Sequence, residues 1–246
     1  MVFRRLCPDA AEVELADQLG GVDLAAAAPA GRPYVIANFV ASLDGRAAFR
    51  GRSGTLGDEG DRDLFHGLRT LPDAVMVGTG TLRAERYGRI AARPERRAAR
   101  EARGLAPDPP LVVVTRSGDL PTEARLFGDA DSTVLVYTGA EIAPPEAAAR
   151  VEVTELHPVS FAGALADLRA AHGIRSVLCE GGPTATSAML GEGVVDELWL
   201  TLSPHLVGGG TEPTVTAGAP LAELAAAELV WALERASFLF LRYRIR

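Results

Sequence analysis

Four short stretches hold most of the residues that could do chemistry: SLDG at 42–45, GTGT at 78–81, TRSG at 115–118 and EGGPT at 180–184. Each follows an apolar, β-type run, so each reads as the carboxyl end of a strand, where ligands of open parallel sheets gather. Adjacent glycines cost backbone entropy, and Gly181 and Gly182 at a strand end point to positive φ or to close approach of another group. EGGPT is therefore either a tight turn into a helix or a cradle whose N–H groups face a phosphate or pyrophosphate. In TRSG, Thr115, Arg116 and Ser117 set a guanidinium and two hydroxyls at one strand end. That set suits a phosphate monoester, or else marks a surface turn with an exposed arginine. GTGT taken alone is a glycine turn.

Other chemistries drop out. No G-x-G-x-x-G opens a helix in the first βα unit, and EGGPT lacks the lysine of a Walker A loop, so nucleotide hydrolysis is not expected. His66, His157, His172 and His205 are scattered outside any zinc-ligand spacing and read as solvated or packed side chains; no metal is expected. No G-x-S-x-G elbow occurs, and Ser42, Ser53 and Ser117 lack an identifiable histidine partner. Cys7 and Cys179 are too few for a disulfide framework.

The elements that must position these stretches alternate. Strands are expected at YVIANFVAS, DAVMVG, PPLVVVT, STVLVYT, VEVTEL, SVLCE, DELWLTLS and FLFLRYRIR. Helices are expected at DRDLFHGLRTL, capped by Asp58 or Asp61, at SFAGALADLRAAHG, closed by Gly173, and at PTATSAMLGEG, with Pro183 in its first turn. A short helix follows GTGT, and a basic, Ala-rich loop fills about 89–106. The pattern implies an α/β fold with a mainly parallel sheet and an antiparallel C-terminal edge. Residues 1–32 read as a loosely attached arm or short helix ahead of a main domain at 33–246. At 246 residues and 48% hydrophobic, the chain has ample sequence for a core. Net charge of −7 argues against nucleic-acid or anionic-membrane partners. With no signal-type or spanning apolar run, a cytoplasmic protein is expected.

NFVASLDGRAA, FHGLR, VGTGTLRAERYG, VVVTRSG, VLCEGGPT, VDELWLTLSPHLVGG and FLFLRY, in that order over about 33–244, resemble the pyrimidine reductases of riboflavin biosynthesis, the RibD C-terminal domain. The resemblance implies a dihydrofolate reductase-like three-layer fold, NADPH as cofactor, a homodimer and a small pyrimidine ribotide as substrate. Hydride would pass to C1′ of a phosphoribosylamino-pyrimidine. Gly181, Gly182, Pro183 and Thr184 then become cofactor residues, with Gly78, Thr79, Gly80 and Thr81 as the second cofactor turn. Thr115, Arg116 and Ser117 would take the adenosine 2′-phosphate, and Val40 and Thr55 would flank the nicotinamide. Ser53, Arg69 and Glu180 map to the substrate, Arg69 to its phosphate, and Asp44 and Glu85 are the catalytic candidates. Glu85 would deliver a proton or order the substrate, or pair as a solvated carboxylate with Arg86 or Arg89.

The chain departs from the family where Asp-Asp-Pro is replaced by Glu85, Arg86 and Tyr87, and where Thr55 replaces a tryptophan-like residue. Arg89 and Arg93 both lie near the family's further phosphate arginine. These changes fall on the substrate side. They leave a dihydrofolate or pteridine reductase, and a non-catalytic NADPH-binding protein, as competing readings.

Overall fold

The computed structural model describes residues 1–85 and 87–246. Its first 32 residues are not a loose arm. They form β1 (Val2–Cys7), β2 (Ala11–Glu14) and α1 (Leu15–Gly20), and Phe3, Leu15, Leu19, Val22 and Leu24 are buried in the core. Leu15, Leu19 and Val22 do fall at helical spacing, but the Gly, Asp and Ala around them hid so short an element in the sequence.

Next come β3 (Tyr34–Ser42), α2 (Glu59–Leu68), β4 (Ala74–Met76), α3 (Thr79–Ala84), α4 (Pro94–Glu101), β5 (Leu111–Thr115), β6 (Thr133–Thr138) and β7 (Arg150–Glu155). The chain closes with α5 (Phe161–His172), β8 (Ser176–Cys179), α6 (Pro183–Gly191), β9 (Glu197–Ser203), β10 (Ala227–Arg235) and β11 (Phe238–Ile245). One sheet carries all the strands, in the order β2-β1-β10-β11-β9-β3-β8-β4-β5-β6-β7. From β9 to β7 every pairing is parallel, and from β9 back to β2 every pairing is antiparallel. The antiparallel edge is larger than the sequence suggests, because β1, β2 and β10 join it.

β3 shows how the three layers arise. Successive strand side chains point to opposite faces, so Ile36 enters one core with Leu64 and Leu68 of α2. Val35, Ala37 and Phe39 enter the other, with Leu165 and Leu168 of α5 and Met189 of α6. Asp58, not Asp61, caps α2 by accepting from the Asp61 N–H at 2.9 Å. Ser160 caps α5, and Gly173 ends it at φ 66°, a left-handed value that favours glycine.

The segment expected as a loop over 89–106 contains α4. Its fixed point is a fully buried Arg100, whose guanidinium donates to the carbonyls of Ala106, Arg69 and Pro72 at 2.7–2.8 Å. Burial holds that guanidinium down to about 10. A polar residue as core anchor carries no hydrophobic period, which is why the sequence pattern misses this helix.

Candidate active site

The parallel order places the ends of β3, β8, β4 and β5 side by side, and the four chemical stretches with them. Two turns meet there. The Gly78 N–H donates to the Gly181 carbonyl at 2.7 Å, linking the GTGT and EGGPT turns. Gly181 has φ +87°, and a Cβ on it would lie 3.1 Å from the Phe39 ring. A Cβ on Gly182 would lie 2.7 Å from Thr81 Oγ1, and one on Gly78 would lie 3.2 Å from the Gly182 nitrogen. Both glycine turns are thus required by backbone shape and by mutual approach. Gly182 precedes α6 without any side-chain cap, so the first N–H groups of that helix stay open toward the cleft.

Two hollows flank this junction. A groove of about 690 Å³ runs past Gly78, Thr79 and Thr184 to Thr115, Arg116 and Ser117. Arg116 makes no ion pair among the described residues, so its charge is available to an anion. A cavity of about 470 Å³ lies on the other side, lined by Val40, Ser53, Arg69, Glu85 and Glu180. Groove and cavity share Gly80, Thr81, Gly182 and Pro183. Open helix N–H groups, a cradle that a Cβ would fill and an adjoining side-chain pocket fit a nicotinamide dinucleotide lying across the double-glycine turn.

The cavity wall is built from side chains far apart in sequence. Glu180, with its side chain 2% exposed, accepts from Arg69 Nε at 2.6 Å and Nη2 at 2.7 Å, and from Tyr87 Oη at 2.6 Å. For Arg69, burial opposes the charge but the Glu180 carboxylate outweighs it and pushes the guanidinium up. Burial first, then the Glu180 charge, pushes the Tyr87 phenol well above its ordinary value. Glu85 accepts from Ser53 Oγ at 2.8 Å and from the Ser53 N–H at 3.2 Å. Asp61 also lines the cavity, and burial pushes its carboxyl up.

Basic residues stand at the rim. Arg62 and His66 line the cavity. Burial, with the charges of Arg96, Arg69, Arg93 and Arg62 around it, pushes His66 down to about 4. Arg62, Arg93 and Arg96 have no acidic ion-pair partner among the described residues.

The RibD C-terminal domain family model matches residues 33–236. The chain belongs to this family. A 2,5-diamino-6-ribosylamino-4(3H)-pyrimidinone 5′-phosphate reductase of Archaeoglobus fulgidus is 33% identical over 195 residues, 76% of this chain and 87% of that protein. The riboflavin biosynthesis protein RibD of Mycobacterium tuberculosis is 33% identical over 181 residues, 73% of this chain but 44% of that protein. Among solved structures, a pyrimidine reductase-like protein from Corynebacterium diphtheriae superposes with a TM-score of 0.76 at 24% identity, covering 92% of this chain and 96% of that one. The RibD reductase family is one of oxidoreductases, which implies a nicotinamide cofactor.

Against this family's pattern, several expectations change place. Asp44 lines neither hollow. Its carboxylate accepts from Ser42 Oγ and from the Val207 and Gly208 N–H groups at 3.1 and 2.7 Å, and these bonds, Ser42 first, hold it down to about 2. Its carboxylate fastens the loop after β9. Thr55 lines neither hollow although Ser53 and Gly54 beside it line the cavity, and its hydroxyl donates to the Arg52 and Phe49 carbonyls of its own turn. Arg69 is engaged by Glu180, so it is not the free phosphate partner expected of it. Arg89 binds Asp129 and Asp131 instead of Glu85, which leaves Arg93 as the open choice of the two phosphate candidates. Arg86 lies outside the described residues. The cavity roles of Tyr87 and Asp61, and the presence of Arg62 and Arg96 beside Arg93, escaped the sequence reading because they depend on neighbours that no local spacing reveals.

Proposed function

We propose that the chain is an NADPH-dependent reductase of a ribosylamino-pyrimidine 5′-phosphate in riboflavin biosynthesis. The observation that carries this reading is the double-glycine turn shared by a backbone-lined groove and a carboxylate-bearing cavity rimmed by arginines. A dinucleotide held there would supply a hydride to C1′ of the ring-opened or imine form of the ribose, with the proton for the reduced group coming from the protein. Gly181 and Gly182 let the nicotinamide end reach the cavity, and the open Arg116 with Thr115 and Ser117 favours a 2′-phosphate.

The chain must also hold the substrate and provide a proton to the reduced group. Asp61, whose carboxyl lines the cavity and is pushed up by burial, is the group assigned to deliver that proton. Glu85, fixed by two bonds from Ser53, orders the polar edge of the substrate. Glu180 is an acceptor already satisfied by Arg69 and Tyr87, and so shapes the wall without transferring a proton. The 5′-phosphate falls to Arg62, Arg93 and Arg96, which surround His66 and of which Arg96 is pushed down by burial and by the neighbouring Arg93 charge.

Those rim charges favour a ribotide over dihydrofolate, and two cavity carboxyls exceed what a non-catalytic binder needs. The test is loss of reduced-nicotinamide absorbance with the pyrimidine ribotide and dihydrofolate supplied side by side. Turnover of the ribotide is expected; turnover of dihydrofolate alone would overturn the substrate, and binding without turnover of either would overturn the enzyme. The reading includes a homodimer through the antiparallel half of the sheet, where Val2 and Leu229 stand exposed, checked by sedimentation.

Among the described residues, no helix is long and apolar enough to cross a membrane.

A further inference from the structure

Glu192 follows α6 at the far end of the groove, away from the double-glycine turn. Its Oε1 accepts from the Phe161 N–H at 3.2 Å and its Oε2 from the Ala162 N–H at 2.7 Å, the first two residues of α5. Ser160 Oγ takes the Gly163 N–H at 3.0 Å, so the start of α5 is fully served. A carboxylate has about four acceptor sites, and here two are used. Glu192 has no cationic partner among the described residues. Near it the lining mixes the apolar Val159, Phe161 and Ala188 with Ser160, and the carboxylate itself is exposed to solvent.

The order of parts along the groove restricts what can lie there. With the pyrophosphate at the glycine turns and the 2′-phosphate beside Arg116, the adenosine base is the part left for the far end. A partly apolar, open groove with a single carboxylate, immobilised by two backbone donors, is suited to a flat ring that carries an exocyclic amine. We propose that Glu192 is a specificity-determining residue that reads the adenine base of the dinucleotide by accepting a hydrogen bond from its 6-amino group. The inference rests on the cofactor reading given above.

Hypoxanthine replaces that amino donor with a carbonyl acceptor, which would face the carboxylate without a hydrogen between them. Binding of NADPH and of its reduced hypoxanthine analogue, measured by calorimetry on the intact chain without substrate, tests this directly. The wild-type protein should bind the hypoxanthine analogue on the order of tenfold more weakly. Glu192→Gln keeps an oxygen for α5 and turns an N–H toward the base, so the preference should reverse. Glu192→Ala should bind both dinucleotides alike, with circular dichroism showing that α5 is retained. Reversal by Gln together with levelling by Ala supports the assignment. Equal binding by the wild-type protein, or variants that keep the wild-type preference, overturns it. Failure of either dinucleotide to bind the wild-type protein overturns the cofactor reading itself, and the inference with it.

Discussion

The groove and the cavity meet at one turn, but their walls are made differently. Around the groove the deciding groups are backbone: Gly78, Gly181 and Gly182 in close approach, and the open start of α6. Around the cavity they are long side chains from separate elements, such as Arg69 beyond α2, Tyr87 after α3 and Glu180 at the end of β8. Backbone walls change only when the chain path changes. Side-chain walls can be altered one residue at a time, and this is the side on which the chain departs from the family's Asp-Asp-Pro pattern. A wall built from backbone and one built from side chains thus differ in how readily single substitutions alter them.

Four measurements would break or sharpen that contrast. Glu180→Ala strips the buried Arg69 guanidinium of its carboxylate, and removing one partner of such a pair costs about 3–5 kcal/mol. Chemical denaturation should show that loss; a change within error would mean that the cavity wall does not depend on the ion pair. Asp61→Asn removes the proposed proton, and turnover should fall by roughly a hundredfold or more with little change in dinucleotide affinity. A rise in KM at unchanged kcat would reassign Asp61 to binding.

On the groove side, Gly181→Ala forces a side chain into φ +87° against Phe39. About 1–3 kcal/mol of stability should be lost, and dinucleotide binding should weaken more than substrate binding. Equal weakening of both ligands would erase the distinction between the two walls. The smallest effect concerns pH. His66 titrates at about 4 in the fold against 6.5 for an ordinary histidine, so the unfolded chain takes up its proton first. Stability should therefore fall as pH drops from about 6.5 toward 4, and stay free of this contribution above that window. In His66→Gln that part of the slope in denaturation midpoint against pH should be missing.

Glycines at strand ends, apolar runs and capping residues are local signals. From them the strands β3 to β9, the helices α2, α5 and α6, and the two glycine turns could be read directly, because backbone conformation depends mostly on neighbours in sequence. The parallel sheet followed from the alternation of strand and helix. The N-terminal strands and α4 were not legible in the same way, since Phe3 and the buried Arg100 are held by contacts remote in sequence and have no periodic partner nearby. The same limit governed the site. That Glu85 stands near Ser53 and that Arg69 belongs to Glu180 are facts about residues 32 and 111 positions apart. The family resemblance marked Asp44 as a catalytic candidate, and only the folded loop showed its carboxylate tied to Val207 and Gly208. Sequence by itself determined where the backbone must turn and expose its N–H groups; tertiary structure decided which charges are spent on each other and which remain for a ligand, because a charge is neutralised by whatever folding brings within a few ångströms of it.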